Sequence, residues 1–175
     1  QIIDDYCKKK YEHEIAERLG IRLRNFDDPF QYENIRTEYE RLLEEKKEID
    51  FDTILLLSEE LLASCPFISS NIASVISSIL VDEFQDTNEL QYLILSNIYK
   101  ANKAITLMFV GDANQASYGS LGGVAKTKQE LETLYETGFD SMSLKGCYRS
   151  TQRLVDLYSR FEVSRTEAHS VAKHK

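Results

Sequence analysis

Two apolar runs, SVISSILVDE at 74–83 and AITLMFVGD at 104–112, constrain this chain more than any other feature. Both are rich in β-branched residues, both are too uniformly apolar for a sheet with one wet face, and both end in an acidic residue; such runs belong to buried parallel strands. Between them NELQYLILSNIYKAN has the period and length of a helix, which gives a βαβ unit. A weaker third strand is predicted in FDSMSL at 139–144, after a helix in TKQELETLYETG, and STQRLVDLYSRF reads as a further helix. From about residue 70 the alternation predicts an α/β sheet whose ligands bind at the strand C-termini.

Residues 1 to about 65 have another character. They are dense in Glu, Lys, Arg, Leu and Ile, with apolar positions at helical spacing such as Tyr39, Leu42 and Leu43 in RTEYERLLEEKKE. This predicts a helical subdomain at 1–65, with EEKKE as a solvated helix face. NFDDPF interrupts it, because Pro29 disfavours helix at Asp28 and the Asp pair suits an N-cap. CPFISSN at 65–71 is expected as the next break.

Charge does not exclude a phosphate-bearing partner. The net charge is −8, but residues 1–60 carry 17 acids against 10 bases, whereas 61–175 carry 12 against 11 and the balance turns positive from Lys145 onward. A local phosphate-binding groove is compatible with that distribution. No stretch approaches the ~20 apolar residues that span a bilayer, and QIIDDYCKKKYEHE lacks the apolar core of a signal peptide, so no membrane partner and a cytoplasmic location are expected. Cys7, Cys65 and Cys147 are odd in number and lack a C-x-x-C, which predicts reduced, mostly buried thiols. His169 and His174, five apart in a charged tail, are not expected to bind metal.

A carboxylate at the C-terminal end of a parallel strand lies where ligands bind, and Asp82 has that place. Such an Asp can hold Mg2+, directly or through water, while the adjacent Glu83 can orient and deprotonate an attacking water. The structural alternative is a helix capping box formed by Asp86 and Glu89. FVGDANQASYG at 109–119 repeats the arrangement on the second strand. There Gly111 permits a tight turn, Asp112 can cap the next turn of chain, and Gln115 offers an amide able to donate to a phosphate oxygen and accept from water. Its structural alternative is a plain strand-to-helix turn. For Tyr148 and Arg149 in CYRST that alternative is a core tyrosine and a helix-start arginine.

ILVDEFQDTNELQ, FVGDANQASYG and CYRST occur in this order, and the two strand-end motifs resemble those of the UvrD/Rep type of DNA helicases. IDFDTILLLSEELL at 49–62 is similar to the segment leading back from that family's helical insertion. The resemblance covers about 49–155 and implies part of a RecA-like P-loop NTPase parallel sheet at 66–147, preceded by the helical subdomain, with 148–175 starting a second RecA-like domain. By motif it implies that Asp82 and Glu83 bind Mg2+ and that Glu83 is the catalytic base. It further implies that Gln85 and Asp86 couple the nucleotide site to neighbouring motifs, that Gln115 senses the γ-phosphate of ATP, that Arg149 neutralises it, and that Tyr148 lies against the adenine.

The sequence departs from that family in two places. A G-x-x-x-x-G-K-[ST] phosphate cradle is missing, and SLGGVAKT at 120–127 has Ser120 and Ala125 where glycines belong. The chain is therefore expected to be a fragment that begins after the cradle and does not turn over ATP alone. Where the family has an aromatic-Arg-Gly-Ala segment, GSLGGV stands instead, leaving Tyr118 as the candidate for base stacking. Gly119, Gly122 and Gly123 either let backbone approach a phosphate or make a flexible loop. The implied function is ATP-dependent movement, 3′ to 5′, on single-stranded or duplex DNA. The rival reading is an interaction protein with a helicase-like fold whose acidic helical third docks a partner such as a nuclease.

Overall fold

The computed structural model describes residues 5–23, 28–112, 115, 123–161 and 169–171, with side chains from residue 10 onward. The chain divides into two compact units, one formed by 1–77 with 89–105 and the other by 78–88 with 106–175.

The first unit is helical. Helices α1 (Asp5–Leu19) and α2 (Tyr32–Lys46) pack through Tyr11, Ile15, Ala16, Ile35, Tyr39, Leu42 and Leu43, all buried. On α2 these positions recur three and four apart, and on α1 Tyr11 and Ile15 lie four apart with Ala16 beside them, so each presents one apolar stripe. The break at Pro29 is a 3-10 turn, Pro29–Gln31, and Asp28 caps it by accepting from the Phe30 N–H at 3.0 Å. EEKKE is exposed, but it is more than a solvated face. Lys46 reaches Glu14 at 2.7 Å, Glu48 takes Lys10 at 2.7 Å and the Tyr11 hydroxyl, and Glu45 pairs with Arg18 at 3.0 Å. These pairs form because α1 lies against α2, and spacing along one helix does not reveal a neighbour.

Helix α2 ends at Lys47, whose left-handed backbone (φ 54°) turns the chain toward α3 (Phe51–Ser64). Asp50 caps α3 by accepting from the Thr53 N–H at 2.7 Å, and its other oxygen accepts from the buried Tyr39 hydroxyl at 2.9 Å. The expected break at 65–71 is confined to Cys65. Pro66 opens α4 (Pro66–Ser74), the position where its missing N–H costs no helical bond. Helix α5 (Glu89–Ala101) packs on α3 and α4, burying Tyr92, Ser96, Ile98 and Tyr99.

The second unit holds the predicted strand pair. β1 (Ser78–Val81) and β2 (Thr106–Phe109) are parallel, in register from Ser78 against Thr106 to Val81 against Phe109, and α5 connects them in sequence. The strands are shorter than the apolar runs, since Ser74 still belongs to α4. Among the described residues their two faces differ in exposure. Ile79 is buried and Phe109 meets Tyr135 and Phe139 with ring centroids 5.4 and 5.6 Å away, whereas the register partners Leu80 and Met108 are 71% and 52% exposed. Partnered residues share a face, so this exposed pair marks the open side of a two-stranded sheet. The observed architecture is thus mixed helix and strand with small parallel sheets.

Helix α6 (Lys128–Tyr135) follows, closed at its start by a capping box of Thr127 and Glu130. The predicted strand FDSMSL is irregular, with Met142 and Leu144 at 90% and 81% exposure. Among the described residues no strand lies beside it to accept its hydrogen bonds, and strand character in the sequence alone does not make one. Instead Gly146–Cys147 (β3) pairs in parallel with His169–Ser170 (β4), and α7 (Gln152–Tyr158) lies between them in sequence.

Candidate functional site at the strand ends

The two acidic strand ends meet within the second unit. Past β1 the chain turns sharply, because Glu83 adopts a left-handed conformation (φ 49°, ψ 45°), and Phe84–Asp86 then forms one 3-10 turn. A β-carbon makes that region unfavourable by about 1–2 kcal/mol, so strain is stored where the sequence reading places the catalytic base. The turn is tied to β2 by backbone bonds: Phe84 N–H donates to the Val110 carbonyl at 3.0 Å and Val110 N–H to the Val81 carbonyl at 2.8 Å.

Asp82 and Glu83 are exposed at this end, and Asp82 Oδ1 accepts from the Glu83 N–H at 2.9 Å. Gln85 is its buried centre, 2% exposed. Its Nε2 donates to Glu83 Oε2 at 2.7 Å, and its Oε1 accepts from the Asp112 N–H at 3.0 Å. On the far side Gln115 Nε2 donates to Asp112 Oδ2 at 3.0 Å. Asp82, Glu83 and Gln85 of the first motif and Asp112 and Gln115 of the second therefore form one hydrogen-bonded group.

Gly111 has a role different from the tight turn expected of it. A β-carbon there would sit 2.6 Å from Phe84 Cδ1 and 2.9 Å from the Phe84 nitrogen, and would collide with Gln85 Oε1. The glycine leaves room for the Gln85 amide to cross between the strand ends. Gly123 makes a similar approach: a β-carbon would lie 2.9 Å from Asp86 Cα, and the neighbouring Val124 N–H donates to the Thr87 carbonyl at 2.9 Å. Its close contact is thus with the 85–87 backbone. Neither feature is legible from composition, because each depends on a partner more than 25 residues away.

Asp86 lies exposed in the 3-10 turn, three residues before α5 begins at Glu89. Tyr148 and Arg149 sit between β3 and α7, both exposed, with Tyr148 at 81%. Tyr148 is thus no core residue, and Arg149 precedes the Thr151 cap of α7. No ion pair among the described residues joins Arg149 to Asp82, Glu83 or Asp112. The Cys147 thiol beside them is lowered from its ordinary value by N–H groups of Ser150 and Arg149; Cys65 and Cys147 are free and half-buried. Tyr118, Gly119, Gly122 and His174 lie outside the described residues.

The donor set suits Mg2+. Asp82 and Glu83 offer hard carboxylate oxygens in the open, and no group of three or more ligating side chains gathers among the described residues. One or two carboxylates alongside substrate phosphates is the usual protein share of a Mg2+ site, unlike the full oxygen cage of Ca2+. No helix of the described residues is long and apolar enough to cross a membrane.

Residues 3–136 match the family described as UvrD/REP helicase N-terminal domain. The chain is 33% identical over 132 residues to the ATP-dependent DNA helicase PcrA of Leuconostoc citreum, covering 74% of this chain and 17% of that protein. It is 28% identical over 141 residues to DNA helicase II of Escherichia coli K12, covering 78% and 19% respectively. With ATP-dependent DNA helicase UvrD1 of Mycobacterium tuberculosis H37Rv the identity is 30% over 127 residues, covering 70% and 16%. The chain spans less than a fifth of the length of these curated relatives.

Proposed function

This chain belongs to the UvrD/REP helicase family, and we propose that it supplies part of the ATP-hydrolysing machinery of a motor acting on DNA. The observation that carries the reading is the bridge made by Gln85 between Glu83 and Asp112, which gathers two separate strand-end motifs around exposed carboxylates. In a parallel sheet that is the end where nucleotides bind.

The roles rest on the chemistry of each side chain. Asp82 and Glu83 hold Mg2+, and the Glu83 carboxylate takes the proton of the attacking water. Mg2+, when bound, neutralises charge developing on the transferred phosphoryl group. Gln115 contributes a neutral amide to the γ-phosphate side, and Arg149 a fixed cation for the same charge. The exposed Tyr148 ring is available to lie against the adenine. Asp86, on the turn that carries Gln85, couples the nucleotide site to the neighbouring motifs. Movement of the full-length protein on single-stranded DNA, 3′ to 5′, is the work this hydrolysis drives, with Tyr118 as a stacking candidate.

The test is steady-state ATP hydrolysis by the full-length protein, with and without single-stranded DNA, beside its Glu83→Gln variant. DNA-stimulated turnover should fall by about 10²–10⁴-fold in the variant, the range expected for loss of a general base. The isolated 175-residue chain, which contains no G-x-x-x-x-G-K-[ST] sequence, should show no turnover. Unchanged turnover in the variant would remove Glu83 from the mechanism.

A further inference from the structure

We infer that Asp112 is a positioning residue that joins Gln115 to Glu83, so that a ligand on the Gln115 amide is felt at the Glu83 carboxylate. The inference deepens the hydrolase reading and takes its functional meaning from it. Three hydrogen bonds carry it, all donated in the same direction: Gln115 Nε2 to Asp112 Oδ2, the Asp112 N–H to Gln85 Oε1, and Gln85 Nε2 to Glu83 Oε2, at 3.0, 3.0 and 2.7 Å.

The direction is fixed by chemistry. A backbone N–H can only donate, so the Gln85 oxygen must face Asp112 and its NH2 must face Glu83; a flipped amide would place two donors together. The bond to Glu83 is charge-assisted, which makes it stronger than a neutral one. Burial of Gln85 and the missing β-carbon at Gly111 keep the amide in this slot. Glu83, for its part, stands on a strained left-handed backbone and is held by the Gln85 amide. If a ligand oxygen takes the Gln115 amide, Asp112 loses that donor. Its carboxylate and backbone N–H belong to one residue on a short turn, so the change passes to Gln85 and on to Glu83.

Nuclear magnetic resonance of the ¹⁵N-labelled chain tests the link without any nucleotide. Side-chain amide signals of Gln115 and Gln85 are compared between the parent and Glu83→Ala, then in Asp112→Ala and Asp112→Asn backgrounds. Glu83→Ala should shift the Gln115 side-chain signal and speed exchange of the Gln85 Nε2 protons roughly tenfold, as expected for loss of a charge-assisted bond. The Gln115 shift should vanish in Asp112→Ala and return in Asp112→Asn, whose side-chain oxygen still accepts. A Gln115 signal indifferent to Glu83, or a shift that persists in Asp112→Ala, overturns the proposal. Should Glu83→Ala fail to give a dispersed backbone spectrum, Glu83→Gln keeps the side-chain volume and serves in its place. Because ATP does not enter, failure of the link leaves the hydrolysis reading standing, and absence of ATP hydrolysis leaves the link standing.

Discussion

The α1–α2 hairpin and the turn at 82–86 are both crowded with carboxylates, and they hold them by different means. In the hairpin Glu14, Glu38, Glu45 and Glu48 each have a cation, and Arg18 alone reaches Glu14, Glu38 and Glu45, at 2.9 to 3.0 Å. At the strand ends Glu83 accepts from the neutral Gln85 amide and Asp82 from a backbone N–H. Cations quench charge and lock the geometry, whereas neutral donors orient a carboxylate while leaving its charge available to a ligand cation. The first arrangement builds structure; the second suits chemistry.

The sharpest way to break this contrast is Gly111→Ala. The added methyl has to displace Phe84 or the Gln85 amide, and overpacking of this kind costs ~1–3 kcal/mol. A urea midpoint well below that of the parent, with the Gln85 side-chain signals displaced, is expected. An unchanged midpoint would mean that the strand ends tolerate a wider gap, and the amide bridge would lose its rationale.

A smaller effect with a diagnostic sign comes from Glu83. Glu83→Gly should be more stable than Glu83→Ala by about 1 kcal/mol, because only glycine adopts φ 49° without penalty. In an exposed helix the order reverses, with alanine favoured by a similar amount. Comparing the two variants removes the side-chain contribution and reads the backbone alone; alanine equal to glycine would show that no strain is stored there.

The smallest effect belongs to the hairpin. Bonds from Lys46, Arg18 and Lys10 lower the carboxyls of Glu14, Glu45 and Glu48 from their ordinary value of 4.5. Acids lowered in the folded state contribute stability that is complete above the unfolded value and lost as pH falls through the folded ones. Acidification below about pH 4.5 should therefore weaken the hairpin, less so at high salt, since exposed pairs are screened. Arg18→Met should flatten that pH dependence when helicity is followed by circular dichroism. A pH profile identical to the parent's would show that Arg18 contributes nothing to it.

Much of the site is legible because its residues are adjacent in sequence. Asp82, Glu83 and Gln85 come directly after an apolar run with strand character, and the second run repeats the pattern through Asp112 to Gln115. The features that sequence does not reveal are those that depend on distant neighbours. Gly111 reads as a turn residue, yet its partner is Phe84, 27 positions earlier, and the bond from the Gln115 amide to Asp112 Oδ2 is not evident from either residue alone. In the fold the same limit appears. FDSMSL reads as a weak strand yet pairs with no strand among the described residues, while Gly146–Cys147 has little strand character and pairs with His169–Ser170 more than 20 residues on. Cys65-Pro66 reads as the start of a break, although proline at a first helical position begins a helix as readily as it ends one.

Asp50 has a consequence for how the first unit comes apart. One oxygen of this buried carboxylate accepts from Tyr39 in α2 and the other from the first turn of α3. Opening either helix removes a bond from the same side chain and leaves it exposed to the other's loss. The middle of α2 and the start of α3 are therefore expected to open together, and hydrogen exchange should show a common rate for their backbone amides although a four-residue connection, 47–50, separates the two helices.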